Sequence, residues 1–299
     1  MKRCFKFAIL VMFACVLVVF AGCGRAEDSS GGTTSVKSTT QNVPNGVRVS
    51  AIDVGKGDCI LVQAGGMSAL IDTGYDSTSG EVVFYLRNQG VERLDCLVIT
   101  HYDKDHVGGL RAIGKAFDID AVYLPGYEGA DKNYRTAMAA VNELGFPVQR
   151  VVQKQVLTLG DASFTIYPSS VAYVPDAKGN EGNDDDLSLV TTLVFGGDSY
   201  LFAGDLEKDG IAAFLKSGFE RFDVLKMPDH GQKCSNTDEF LAEVQPRIAV
   251  ITDSAADPAD KKSLKLLAGC GAETYRTSEC GTVVVESAGT GNYSVVTSR

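Results

Sequence analysis

Thr100-His101-Tyr102-Asp103-Lys104-Asp105-His106-Val107-Gly108-Gly109 closes and extends the apolar stretch Leu94–Thr100. A run of strand length therefore ends in four side chains able to bind a metal, packed into six residues, and a glycine pair follows. Strand tips on a rigid scaffold are where loops offer functional groups. The chain holds 3 histidines. Two bracket this segment, and the third lies in Lys226-Met227-Pro228-Asp229-His230-Gly231. An Asp-Lys-Asp run is ordinarily solvated charge, and a lone histidine is ordinarily structural. Two histidines framing it at a strand end point instead to a divalent-metal site.

Further acids recur at the ends of apolar runs. Asp53 and Asp58 flank Val54-Gly55-Lys56-Gly57, Asp72 closes Ala69-Leu70-Ile71, and Asp205 follows Leu201-Phe202-Ala203-Gly204. Taken singly, each reads as a turn or capping aspartate, and Asp205 before Leu206-Glu207 has the look of a helix N-cap. Asp185 and Asp186 precede Ser188 at the start of another apolar run.

The chain has 299 residues, 44% of them apolar, enough for one large or two small domains. Lys2, Arg3 and Lys6 precede the apolar run Phe7–Phe20, which ends in Ala21-Gly22-Cys23. This is the pattern of a secretory leader, residues 1–22, too short for a comfortable spanning helix. Its ending resembles the bacterial lipobox and implies lipidation of Cys23, with Phe20 where leucine is commoner. An uncleaved anchor and an ordinary leader are the alternatives. Residues 23–45, rich in Ser, Thr, Gly, Asn and Gln, read as a flexible tether. The remainder, 46–299, reads as one domain held by a lipid at the outer face of the cell membrane, with no protein partner expected.

The formal charge is −10, and the leader removes three of the 28 basic residues and none of the 38 acidic ones. Nonspecific adhesion to nucleic acid needs a dense Lys/Arg footprint, which this balance opposes. Of the 8 cysteines, Cys59 and Cys96 fall in apolar strand patterns as small core residues. Cys270 and Cys280 are candidates for a disulfide in an oxidising exterior, with connectivity not fixed by sequence, and Cys234 stands near enough to His230 to be a soft ligand.

Strand-length and helix-length patterns alternate along the domain. Strands are expected at Val47–Val54, Cys59–Ala64 and Ser68–Asp72, an antiparallel meander, then at Leu94–Thr100, Ala121–Leu124, Gln155–Leu159, Ser163–Tyr167, Ser188–Phe195 and Tyr200–Ala203. Others follow at Phe222–Met227, Ile248–Thr252, Thr274–Arg276, Thr282–Glu286 and Tyr293–Val296. Helices are expected at Glu81–Asn88, Gly109–Phe117, Tyr134–Leu144, Glu207–Lys216, Asp238–Val244 and Lys261–Ala268. Two strand-rich halves with interspersed helices suit two packed sheets covered outside by helices, and the short early turns argue against a doubly wound parallel sheet.

Together, Asp53–Asp58, Leu70–Gly74, Thr100–Gly109, Asp185–Val190, Phe202–Glu207, Asp229–Gly231, Tyr275–Thr277 and Gly281-Thr282 resemble the metallo-beta-lactamase fold hydrolases, and among them the group related to the competence protein ComEC/Rec2. The likeness runs from Val47 to Val296 in the family's order. It implies an α/β (α+β) fold, a four-layer αββα sandwich with two divalent ions at one edge: zinc or manganese, or iron. His101 and Asp103 would belong to the first ion, Asp105, His106 and His230 to the second, and Asp205 would bridge. Asp185 or Asp186 would complete the first set, and Asp186 is taken as the ligand. Asp72, Asp53, Asp58 and Ser188 would support the ligands from behind.

Such a pair of ions activates water and clamps the attacking and leaving oxygens. Asp105 would orient the water and take its proton. Lys56 stands where relatives usually have Gln. Asp229 replaces the first member of a His pair, and would serve as the acid. The expected function is a membrane-tethered extracytoplasmic hydrolase of phosphate esters, a phosphodiesterase or nuclease, with a small-molecule or nucleic-acid substrate. Thioester or lactam hydrolysis is the alternative within the fold. A noncatalytic surface-binding lipoprotein with a decayed site is the alternative outside it.

Overall fold

A computed structural model describes residues 46–174, 182–219 and 221–299. The leader, the tether and Cys23 lie outside the described residues. Among the described residues no helix is long and apolar enough to cross a membrane.

The first half of the domain runs β1 (Val47–Ala51), β2 (Ile60–Ala64), β3 (Met67–Ile71), α1 (Ser79–Asn88), β4 (Cys96–Val98), α2 (Lys104–Val107), α3 (Leu110–Ala116), β5 (Val122–Pro125), α4 (Lys132–Leu144) and β6 (Val148–Val151). The second half runs β7 (Gln155–Leu159), β8 (Ala162–Tyr167), β9 (Val190–Phe195), β10 (Asp198–Phe202), α5 (Lys208–Lys216), β11 (Val224–Lys226), α6 (Thr237–Val244), β12 (Ile248–Ile251), α7 (Lys261–Gly269), β13 (Glu273–Arg276) and α8 (Thr277–Cys280). Finally β14 (Val283–Ser287) and β15 (Tyr293–Thr297) return to the first sheet.

The strand orders are β15-β14-β1-β2-β3-β4-β5-β6 and β13-β12-β11-β10-β9-β8-β7. Each sheet begins as the antiparallel meander that its short turns require, for example with Val49 opposite Val62 in β1 and β2. It then turns parallel: β3, β4, β5 and β6 in one, β10, β11, β12 and β13 in the other. The parallel halves exist because helices supply the long crossovers that parallel neighbours need. Strand β6, absent from the sequence expectation, completes the first sheet; its first two residues are exposed and polar or β-branched, so no alternation marks it.

Period-2 alternation sorts the apolar side chains into three cores. Val49, Val62, Ile71 and Val98 meet Phe164, Leu193 and Phe202 between the sheets. Their neighbours Leu61, Leu70 and Leu97 pack outward on Val82, Leu86, Ile113 and Val141 of the first helical layer. Leu201, Leu225 and Ile251 pack on Ile211, Phe240 and Leu267 of the other. Two sheets with helices on both outer faces make the expected αββα sandwich.

Cys59 and Cys96 are buried in these cores as free thiols. Cys270 and Cys280 are free as well, so the disulfide considered for an oxidising exterior does not form in this structure. Cys234 is engaged with Thr237 at 3.5 Å and belongs to none of the metal-competent clusters.

The turn after β3 fits closely against the α2–α3 junction. The Thr73 amide donates to the His106 carbonyl at 2.6 Å, and the Gly109 amide to Gly74 at 3.1 Å. A Cβ on Gly109 would lie 2.4 Å from the Thr73 carbonyl oxygen. Gly109→Ala is therefore expected to lower stability by roughly 1–3 kcal/mol, as overpacking does. A urea unfolding midpoint equal to that of the wild type would contradict this packing.

Candidate metal centre

Strand ends at one edge of the sandwich deliver the site: Asp72 after β3, His101 after β4, Asp205 after β10, His230 after β11 and Thr252 after β12. Four non-glycine residues among those described have positive φ, and three are here: Asp72 at 58°, Asp229 at 43° and His230 at 48°. Left-handed backbone is costly for such residues and persists where the surroundings dictate it, commonly at functional sites.

The three histidines share one arrangement. Thr100 Oγ1 donates to Asp72 Oδ2 at 2.7 Å, so toward His101 Nδ1, 3.0 Å away, it acts as acceptor. Thr252 Oγ1 donates to Asp58 Oδ1 at 2.6 Å and likewise accepts from His230 Nδ1 at 3.0 Å. His106 Nδ1 donates to Asp72 Oδ2 at 2.8 Å. Each ring thus carries a proton on Nδ1 and aims Nε2 into the cluster, the orientation that outer partners impose on metal-binding imidazoles.

The Nε2 atoms of His106 and His230 lie 3.1 and 2.8 Å from Asp205 Oδ2, and 3.3 Å from each other. Two nitrogens about 2.0–2.1 Å from a tetrahedral ion stand about 3.3 Å apart, so the spacing suits shared coordination. His101 Nε2 is buried with no hydrogen-bond partner, 3.4 Å from Asp185 Oδ1. An orphaned buried acceptor of this kind needs an explanation, and a cation supplies one.

Donor atoms lying within 4.8 Å of one another form the groups His101/Asp103/Asp185, Asp105/His106/His230 and His101/His106/Asp205. The structure therefore brings together His101, Asp103, Asp105, His106, Asp205 and His230, with Asp205 between two sets.

Asp186 is a correction. Its Oδ1 accepts the Gly210 amide at 2.7 Å and so satisfies an orphan donor in the first turn of α5. It lies in none of the clusters, and Asp185 takes that place. Asp53 is a second correction: it accepts from its own turn at Gly55, 3.2 Å, and pairs with Arg299, so it braces the β1–β2 loop rather than a ligand. Asp58, Asp72 and Ser188 do stand behind the cluster. Ser188 Oγ accepts the Asp205 amide at 3.0 Å and lies 3.3 Å from His101 Nδ1.

Lys226 was missed, although a cation inside Val224-Leu225-Lys226-Met227 is the kind of local conflict that marks a site. It is 2% exposed. Its Nζ donates to Asp58 Oδ2 at 2.5 Å, the Gly204 carbonyl at 3.0 Å and Asp205 Oδ1 at 3.2 Å. Asp205 is thus divided, with Oδ1 on the lysine and Oδ2 on the histidines.

The electrostatics fit a cation. Burial drives the His101 pKa well down, which keeps the ring neutral. Burial also opposes charge on His106, but Asp205 and Asp72 outweigh it and hold that pKa well up. A metal ion replaces such a proton. Against burial, His106, His230 and Lys226 hold Asp205 well below the usual carboxylate range. Burial, then repulsion from Asp205, Asp103, Asp184 and Asp229, pushes Asp185 up to about 9. Asp229, next to the site, rises to about 7 through burial and Asp205, against His230 and Lys56.

Residues 52–191 match the metallo-beta-lactamase superfamily. ComE operon protein 3 of Bacillus subtilis is 31% identical over 79% of this chain, and Recombination protein 2 of Haemophilus influenzae 29% identical over 71%. The chain spans about a third or less of these relatives, 32% and 25% of their lengths. Zn(2+)-bound PqqB from Methylobacterium extorquens superposes with TM-score 0.52 and 13% identity, covering 77% of this chain and 97% of that one. A variant of CmlA beta-hydroxylase superposes at 0.51 and 15%, covering 82% and 54%. These two likenesses concern the fold. The domain is a metal-dependent hydrolase fold of the metallo-beta-lactamase superfamily. Within that superfamily the chain is similar to the ComEC/Rec2 proteins over part of their length.

Replacing Lys226 by Met should destabilise the metal-free protein by about 3–5 kcal/mol, because Asp58 is left as an uncompensated buried charge. Chemical unfolding in EDTA measures this, and an unshifted midpoint contradicts the network.

Proposed function

We propose that the protein is a two-metal phosphoesterase, a phosphodiesterase or nuclease, tethered through Cys23 to the outer face of the cell membrane. The observation that carries the catalytic part is the pair of donor clusters joined at Asp205. His101, Asp103 and Asp185 would hold one divalent ion, Asp105, His106 and His230 the other, with Asp205 Oδ2 between them. Mixed imidazole and carboxylate donors suit zinc, manganese or iron. When bound, two such ions lower the pKa of water and stabilise charge on both oxygens of a displacement. Phosphate esters are favoured over thioesters and lactams by that pairing together with the likeness to competence and recombination proteins, since the fold itself serves many chemistries. The tether rests on the leader pattern and the cysteine that ends it.

The chain's own residues divide the work. Asp105, 14% exposed and 3.7 Å from His230, orients the attacking water and takes its proton. Thr100, Asp72, Thr252 and Asp58 hold the imidazoles in one tautomer. Asp229, half-buried beside the site, hands a proton to the leaving oxygen.

The purified protein, reconstituted with manganese or zinc, should bind two ions per chain and hydrolyse bis-p-nitrophenyl phosphate. Turnover of a thioester or lactam with none of a phosphodiester would reject the proposal. Asp105→Asn should cut phosphodiester turnover by about 10²-fold or more. Asp229→Asn with full turnover would remove the acid role. Elemental analysis should show Asp185→Asn losing about one ion while Asp186→Asn keeps both; the reverse would restore Asp186 as the ligand.

A further inference from the structure

We propose that Arg150 is a positioning residue for the metal centre: through the Tyr102 hydroxyl it fixes the chain between His101 and Asp103, and so sets the donors that these two share with Asp185. The inference rests on the two-cluster reading of the site and goes beyond it, because Arg150 bonds to none of the donors.

Tyr102 is the peg of the ligand segment. His101 and Asp103 turn to the cluster, while the side chain between them turns away, 1% exposed, into a cage of rings. It meets Tyr127 and Tyr134 edge-on, with centroids 5.2 and 4.9 Å away. Arg150, on β6, closes the cage. Its Nη1 donates to the Tyr102 hydroxyl, to the Pro125 carbonyl at 3.0 Å and to the Tyr127 carbonyl at 3.2 Å. Its Nη2 donates to the Tyr134 hydroxyl at 3.4 Å and to Met138 Sδ at 3.1 Å. One guanidinium thus ties the ligand segment to the end of β5, to the loop after it and to α4. The planar fork of donors can reach these acceptors together, where an ammonium on a flexible stem cannot. Every one of them is neutral, and a bond from a charged donor is the stronger for its charge.

The two donor sets are moored separately. Asp105 and His106 are held through α2: the Asp58 amide donates to the Asp105 carbonyl at 3.1 Å, and the Thr73 amide and Oγ1 donate to the His106 carbonyl at 2.6 and 2.8 Å. His101 and Asp103 lie between two other moorings. The Thr100 carbonyl accepts the Leu189 amide at 2.9 Å, and the Asp103 carbonyl opens α2 by accepting the His106 amide at 2.9 Å. Between these two points the Tyr102 side chain carries the hold. Loosening Arg150 should therefore disturb one donor set and spare the other.

The full chain and the variants Arg150→Met, Arg150→Lys and Tyr102→Phe are dialysed against zinc buffers of graded free concentration, and bound zinc is measured by elemental analysis. Arg150→Met should need at least about tenfold more free zinc to fill one of its two sites, as loss of an outer partner does, while the other fills as in the wild type. Arg150→Lys keeps the charge without the fork and should recover part of the loss. Tyr102→Phe removes one oxygen, keeps the ring and should reproduce the loss. A second reading needs no metal. The chain has 3 histidines, so 15N spectra of their side chains in EDTA resolve each ring, and Arg150→Met should displace the His101 signals while leaving those of His230 in place.

Wild-type zinc binding by Arg150→Met together with unmoved His101 signals would overturn the proposal. So would equal loss of both ions with all the rings displaced, since Arg150 would then brace the whole fold. If Arg150→Met does not fold, Tyr102→Phe decides by the same two readings. If the wild type binds fewer than two ions, the two-metal phosphoesterase reading fails, while displacement of His101 without His230 still upholds the positioning role.

Discussion

Carboxylates brought together out of water repel one another, and the edge of this sandwich holds Asp58, Asp72, Asp103, Asp105, Asp185 and Asp205 in reach of a single centre. Such a cluster survives only with positive charge inside it. Lys226 supplies one permanent charge, placed on Asp58 and one oxygen of Asp205. The imidazoles supply adjustable charge on the other oxygen. The remainder of the deficit, visible in the raised pKa of Asp185 and the orphaned Nε2 of His101, is the part that divalent cations would complete.

The sandwich makes this concentration of charge sustainable. Strands β3, β4, β10, β11 and β12 lie in the middle of their sheets, packed on both faces, so their ends are held by cores on either side. Rigid strand ends tolerate left-handed backbone at Asp72 and His230 because the strands that carry them cannot relax. Thr100, two residues beyond β4, and Thr252, one beyond β12, each relay a carboxylate to an imidazole. The same device, used from both sheets, sets the tautomer of two histidines on opposite sides of the cluster.

The departure at Asp229 has a structural counterpart in its neighbours. Lys56 pairs with Asp257 at 3.0 Å and lies within electrostatic reach of Asp229. An acid and a cation thus occur side by side next to the metal-competent cluster.

By itself the sequence determined the layers and most of the donors. Alternation in β1–β3 and helical periodicity in α1, α4 and α7 need no tertiary context, and His101 and Asp103 stand within three residues of the short helix that carries Asp105 and His106, so their spacing is local. Tertiary structure alone decided between Asp185 and Asp186. Adjacent residues point to different places, and only the docking of α5 shows that Asp186 is used by the Gly210 amide. It also removed Asp53 from the site, through a C-terminal arginine 246 residues away. Strand β6 and the parallel halves of both sheets escaped the reading because pairing is a relation between distant segments, and no residue carries it. Lys226 was legible as an anomaly within an apolar strand, but its purpose was not: a buried cation has meaning only through the anions that the fold sets around it.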